Sequence, residues 1–105
     1  MKYKLHLDTA NRDIKRVKLL ENSEVIAEMA SAEDEFILIK KILIDNSVSI
    51  QDISKIEVNR GPGSFTGLKV GVSIANTFNY VKGNIKNWSD LILPEYGSEP
   101  NIGKN

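Results

Sequence analysis

Residues 59–71 read Asn59-Arg60-Gly61-Pro62-Gly63-Ser64-Phe65-Thr66-Gly67-Leu68-Lys69-Val70-Gly71, the stretch most suggestive of chemistry. A glycine-rich turn that opens a helix can cradle phosphate with its backbone N–H groups. A P-loop, however, needs Gly-Lys followed by Ser or Thr. Here Gly67 is followed by Leu68, and Lys69 lies too far into the apolar run. The dinucleotide fingerprint would require a third Gly where Thr66 stands, and no acidic residue sits at the needed distance in a following strand. The structural alternative is that Pro62 fixes a turn, the glycines take positive φ, and Ser64 or Thr66 caps the helix. Elsewhere Asp8 and Thr9 close an apolar strand, with no metal-binding acid cluster beside them. The lone His6 lies mid-strand on a polar face, so no Ser-His-Asp arrangement can be drawn and His6 reads as structural. No Cys is present, which excludes a thiolate metal site and suits a reducing cytosol.

The elements that must position these residues alternate with period two. Tyr3, Leu5 and Leu7 face one way against Lys4, His6 and Asp8. Val17 and Leu19 do the same, as do Val25, Ala27 and Met29, then Ile56 and Val58. Such alternation predicts a sheet with one covered and one wetter face. Short polar links join the first three strands as an antiparallel meander. Ser31-Ala32-Glu33-Asp34 resembles a capping box and predicts a helix from Glu33 to Asn46. A second helix is predicted from Phe65 to Val81, closed by Gly83. A fifth strand over 85–88 completes the order βββαβαβ. With a mixed five-stranded sheet ordered 3-2-1-4-5, right-handed crossovers place both helices on one face.

Both helices carry more apolar surface than one sheet can cover. The first spreads its aliphatic and aromatic residues over an arc of roughly 260° at ~100° per residue, whereas packing on a sheet needs little more than ~100°. Phe36, Ile39 and Leu43 share one stripe of it. In the second, Val70, Ile74, Phe78 and Val81 form one stripe, and Gly67, Gly71 and Ala75 a stripe of small residues that permits close approach of another helix. The reading is a helical layer that binds a partner. Lys plus Arg and Asp plus Glu are both 14, without the basic excess of a nucleic-acid binder, so no direct grip on nucleic acid is expected. The longest aliphatic or aromatic run, Phe36 to Ile39, is far short of a membrane span. Residues 1–92 read as one domain. Residues 93–105, with two Pro, two Gly and two Asn from Pro94 onward, read as a flexible tail.

Gly61-Pro62-Gly63-Ser64-Phe65-Thr66-Gly67-Leu68-Lys69-Val70-Gly71 closely resembles the glycine-rich signature of the TsaB family, in which the Lys69 position is usually Arg. Leu5-His6-Leu7-Asp8-Thr9 is similar to the family's opening strand and Asp-Thr turn, with Ala10 where Ser is common. Leu20 to Val25 matches its second hairpin. The resemblance implies the N-terminal lobe of the actin-like ATPase (ribonuclease H-like) fold. It also implies a noncatalytic partner of TsaD, the subunit that transfers a threonylcarbamoyl group to tRNA, with a TsaE-like ATPase joining the pair. The family's heterodimers associate through the helices of this lobe, and the same surface would make a homodimer of the chain alone. Family members are about twice as long, and nucleotide binds between two lobes. Asp8 and Thr9 are then a vestigial half-site, and no cofactor or metal is expected. Two other roles remain open: a self-associating domain outside tRNA modification, and a nucleotide site completed by another chain.

Overall fold

The computed structural model describes residues 3–94, the side chains of Phe65 and Trp88 excepted. Met1, Lys2 and residues 95–105, most of the expected tail, lie outside the described residues. Four strands, β1 (Tyr3–Asp8), β2 (Lys15–Glu21), β3 (Glu24–Ser31) and β4 (Ile53–Val58), form one mixed sheet in the order β3-β2-β1-β4. β1 pairs antiparallel with β2 and parallel with β4, and β2 pairs antiparallel with β3. The β2–β3 link is a two-residue turn in which both Asn22 (φ 53°) and Ser23 (φ 73°) are left-handed, the geometry that follows the twist of a tight hairpin. A bulge between Leu19 and Leu20 then shifts the register, so Leu20 stands opposite Val25 and the apolar side of β3 contracts to Ala27 and Met29. Val25 turns outward.

Helices α1 (Glu35–Asp45) and α2 (Phe65–Val81) lie on the same face of the sheet, as the one-sided alternation predicts. α1 packs over β2 and β3, α2 over β4 and β1. Leu5, Leu7, Val17, Leu19, Ile53 and Ile56 are buried beneath Leu38, Ile42 and Leu43 of α1 and Val72 and Ala75 of α2. Each such aliphatic side chain contributes roughly 1.5–3 kcal/mol on burial, which makes this layer the main source of stability. The opposite face carries Lys4, His6, Arg16, Lys18, Glu28 and Glu57, with ion pairs from Lys4 to Glu57 (3.4 Å) and Arg16 to Glu28 (3.8 Å).

The helix ends explain where the elements stop. Ser31 does not cap α1. It pairs with Lys15 at the end of β3, and its Oγ accepts from the Glu33 N–H at 3.0 Å. Asp34 is the cap, its carboxylate accepting from the Phe36 N–H at 2.8 Å, so the helix begins two residues later than the sequence pattern suggested. At the far end Ser47 sits at φ 55°. Its N–H donates to the Ile44 carbonyl (3.1 Å) and that of Val48 to the Leu43 carbonyl (3.0 Å), a Schellman closure. α2 closes the same way with Gly83 at φ 84°.

The expected fifth strand is not there. Residues 84–87 have no regular structure and a single 3-10 turn covers Trp88–Asp90. The cause is local: the Asp90 carboxylate accepts from the N–H groups of Lys86 (2.9 Å) and Asn87 (3.2 Å), curling the segment on itself. These two bonds hold the Asp90 carboxyl below its ordinary pKa.

Candidate functional site

The glycine segment is a joint between β1 and α2. Ser64 caps α2, its Oγ accepting from the Gly67 N–H at 3.2 Å, and its own N–H donates to the Ala10 carbonyl at 2.8 Å. The Thr9 hydroxyl donates to the Gly67 carbonyl, and Thr9 is only 1% exposed. A Cβ on Gly67 would run into the Thr9 carbonyl, and one on Gly71 into the Thr9 hydroxyl and, at 3.0 Å, the Val58 side chain. A Cβ on Gly63 would stand 2.5 Å from that of Ala10. Asn59 was not singled out by sequence reasoning, yet it stitches the joint. Its N–H donates to Leu7, its Nδ2 to the Asp8 carboxylate (3.1 Å), and its Oδ1 accepts from the Gly61 N–H (3.0 Å). The only signal for it was its place between a strand and a glycine turn.

This geometry corrects the reading of the small-residue stripe. Gly67, Gly71 and Ala75 are buried against the chain's own β1 and β4 and present no surface to a partner. The stripe does serve close approach, but of α2 to the sheet. Leu43 is likewise core, 6% exposed. Gly61 to Thr66 are spent on the turn and the start of α2.

Asp8 and Thr9 adjoin, with one Asp8 oxygen and the Thr9 hydroxyl engaged. Asp8 Oδ1 accepts from Ala10 N–H (3.0 Å) and Asn59, and Thr9 is buried on Gly67. Asp8 shares a shallow hollow of about 230 Å³ on the open sheet face with His6, Arg16, Lys18 and Glu28, a mixed-charge lining. Among the described residues no three His, Cys, Asp or Glu converge on a metal position.

What the structure does assemble is an apolar groove of about 560 Å³ between the helices. Phe36 and Ile39 of α1 form one wall, Ile74, Phe78 and Val81 of α2 the other, and Ile56 reaches it from the sheet. Phe36 is 65% exposed and Val81 76%. Ile50, in the turn before β4, also lines it. Val81 belongs to the apolar stripe read from the sequence, whereas Ile50 was missed because it lies outside both helices. Val70 is half-buried and does not line the groove. At one end the Lys82 ammonium stands 5.9 Å from the Phe78 ring centre, placing a cation at the rim. Among the described residues no helix is long and apolar enough to cross a membrane.

A family model described as TsaD, tRNA N6-adenosine threonylcarbamoyltransferase, matches residues 25–84, more than half of the 105. The tRNA threonylcarbamoyladenosine biosynthesis protein TsaB of Bacillus subtilis is 35% identical over 79 residues, 70% of this chain and 34% of that protein. TsaB of Escherichia coli is 42% identical over 38 residues, 36% of this chain and 16% of that protein. Among solved structures, YeaZ from Pseudomonas aeruginosa superposes with a TM-score of 0.68 at 21% identity, over 79% of this chain and 41% of that one, and shows the shared fold. The chain spans less than half the length of these relatives. The glycine joint, the β-meander and the one-sided helical pair thus occur together with a family match over most of the domain: the chain belongs to the TsaD-type threonylcarbamoyladenosine family and, within it, is a partial TsaB-like protein.

Proposed function

We propose that the chain serves tRNA threonylcarbamoyladenosine biosynthesis as a noncatalytic subunit that docks a TsaD-like catalytic protein on the groove between α1 and α2. The carrying observation is that groove, apolar on both walls and with Phe36 and Val81 open to solvent. Aromatic and aliphatic anchors in a concave patch are what protein interfaces bury at their centres, and monomers seldom leave large apolar patches uncovered. Without the partner, a second copy related by a two-fold axis would cover the same face. A TsaE-like ATPase would join the assembled pair. The noncatalytic reading is supported by Asp8 Oδ1 and the Thr9 hydroxyl, which are engaged within the domain.

The test is co-purification with the TsaD-like subunit of the same organism. Phe36→Asp combined with Phe78→Asp should weaken binding at least tenfold while the circular dichroism spectrum is kept, since placing carboxylates in an apolar interface leaves buried charges unpaired. Undiminished binding by the folded double variant would sink the proposal. ATP turnover by the pure wild-type chain, abolished by Asp8→Ala, would overturn its noncatalytic part.

A further inference from the structure

β4 is the last strand of the order β3-β2-β1-β4, so among the described residues no strand covers its outer side. Alternate residues of a strand direct their N–H and C=O groups to opposite sides. Ser54 is the extra residue where the β1–β4 register shifts. Asn59 donates inward to Leu7, so Ile56, of the other parity, points its peptide groups outward. Those groups are not bare. Asn79 of α2 accepts from the Ile56 N–H with Oδ1 (3.0 Å) and donates from Nδ2 to the Ile56 carbonyl (2.9 Å). Its amide thereby offers Ile56 the same donor and acceptor that a neighbouring strand would. Asn79 is 4% exposed. Asn84 donates to the Ser54 carbonyl at 3.0 Å. Past the end of β4, Arg60 Nε donates to the Leu93 carbonyl (2.9 Å), and Asn76 grips the backbone of Ile92 by the same two-way pattern (2.9 and 3.0 Å).

An open strand edge is a template for pairing with another chain. The geometry points to Asn79, backed by Asn84, as a guard of the β4 edge: it fills the positions of a fifth strand and so prevents a second copy of this chain from adding its own β4. The second copy is the fitting occupant because β4 reads Ile53-Ser54-Lys55-Ile56-Glu57-Val58. Paired antiparallel about Ile56 on a two-fold axis, Lys55 of each copy would face Glu57 of the other, an attractive cross-strand pair.

Asn79→Ala removes the guard. To keep the helical groove out of the result, wild type and variant are compared in a Phe36→Asp background. Sedimentation should show concentration-dependent association in the Asn79→Ala chain alone. Adding Lys55→Glu, which sets like charges opposite each other in the antiparallel pair, should reverse it. In dilute solution the Ile56 amide should exchange slowly in wild type and at least tenfold faster in the variant. If Asn79→Ala fails to fold, Asn79→Asp takes its place, keeping the acceptor and opposing a carboxylate to the Ile56 carbonyl. Rapid Ile56 exchange in wild type overturns the proposal. So does a folded variant with faster exchange but no added association, since Asn79 would then only staple α2 to β4. Association that survives Lys55→Glu overturns it as well.

Discussion

Thr9 and Gly71 meet with no space between them, and that contact decides what a substitution there would do. A leucine at position 71 must displace the Thr9 hydroxyl and the Val58 methyl, both fixed by hydrogen bonding or burial. Overpacking of this kind costs about 1–3 kcal/mol, and breaking the Thr9–Gly67 bond adds to it. Gly71→Leu should therefore lower the urea midpoint by stability loss, with a helical groove that still binds whatever fraction remains folded. A variant as stable as wild type but deficient in partner binding would restore the outward-facing reading of the stripe. From the sequence, the glycines were legible as a turn and helix start, and Ser64 was one of two caps considered. Which way the stripe faced was not legible, because spacing places Gly67, Gly71 and Ala75 on one side of a helix without saying what lies there.

Elements ended where side chains could satisfy backbone groups, and those endings were the harder part to read. β1, β2 and α2 followed from alternation and helical spacing because the buried side of each is apolar, whereas in β3 the bulge left only Ala27 and Met29 facing the core. The fifth strand failed because Ile85 and Trp88 offered apolar character while Asp90, from outside the expected strand, took the amides of Lys86 and Asn87. The start of α1 shifted because Ser31 was already committed to β3. Its end holds Ser47 at a left-handed φ that glycine adopts without strain. Ser47→Gly should stabilise the domain by about 0.5–1 kcal/mol, as the left-handed penalty of roughly 1–2 kcal/mol is relieved against the entropy glycine adds to the unfolded chain. Thermal unfolding measures it. A lowered midpoint would mean that the serine side chain contributes more than its backbone costs.

As a whole the domain has two unlike faces, a helical layer with an apolar groove and a sheet face of paired charges. One-sided alternation made that asymmetry readable before any coordinates, and the surplus of apolar residues on α1 survived as exposed Phe36, Ile37 and Ile44. The groove itself was not readable, since it depends on how far apart the helices sit and on Ile50, a residue outside both.

The grip of Asn76 on Ile92 and of Arg60 on Leu93 fixes a point of departure for the polypeptide. Whatever follows Pro94 begins beside the residue that leads from β4 into the glycine turn. The groove extends toward the other end of α2, to Val81 and to Ile50 ahead of β4. A tether attached after Pro94 thus starts away from that end of the docking surface. A fluorescent protein joined there through a short flexible linker should leave partner affinity within about twofold of the unfused chain, a change of ~0.4 kcal/mol. Transferring the fusion to a linker inserted between Asn46 and Ser49, on the approach to Ile50, should impair binding. Equal affinities from both attachment points would show that the partner does not use the Ile50 end of the groove.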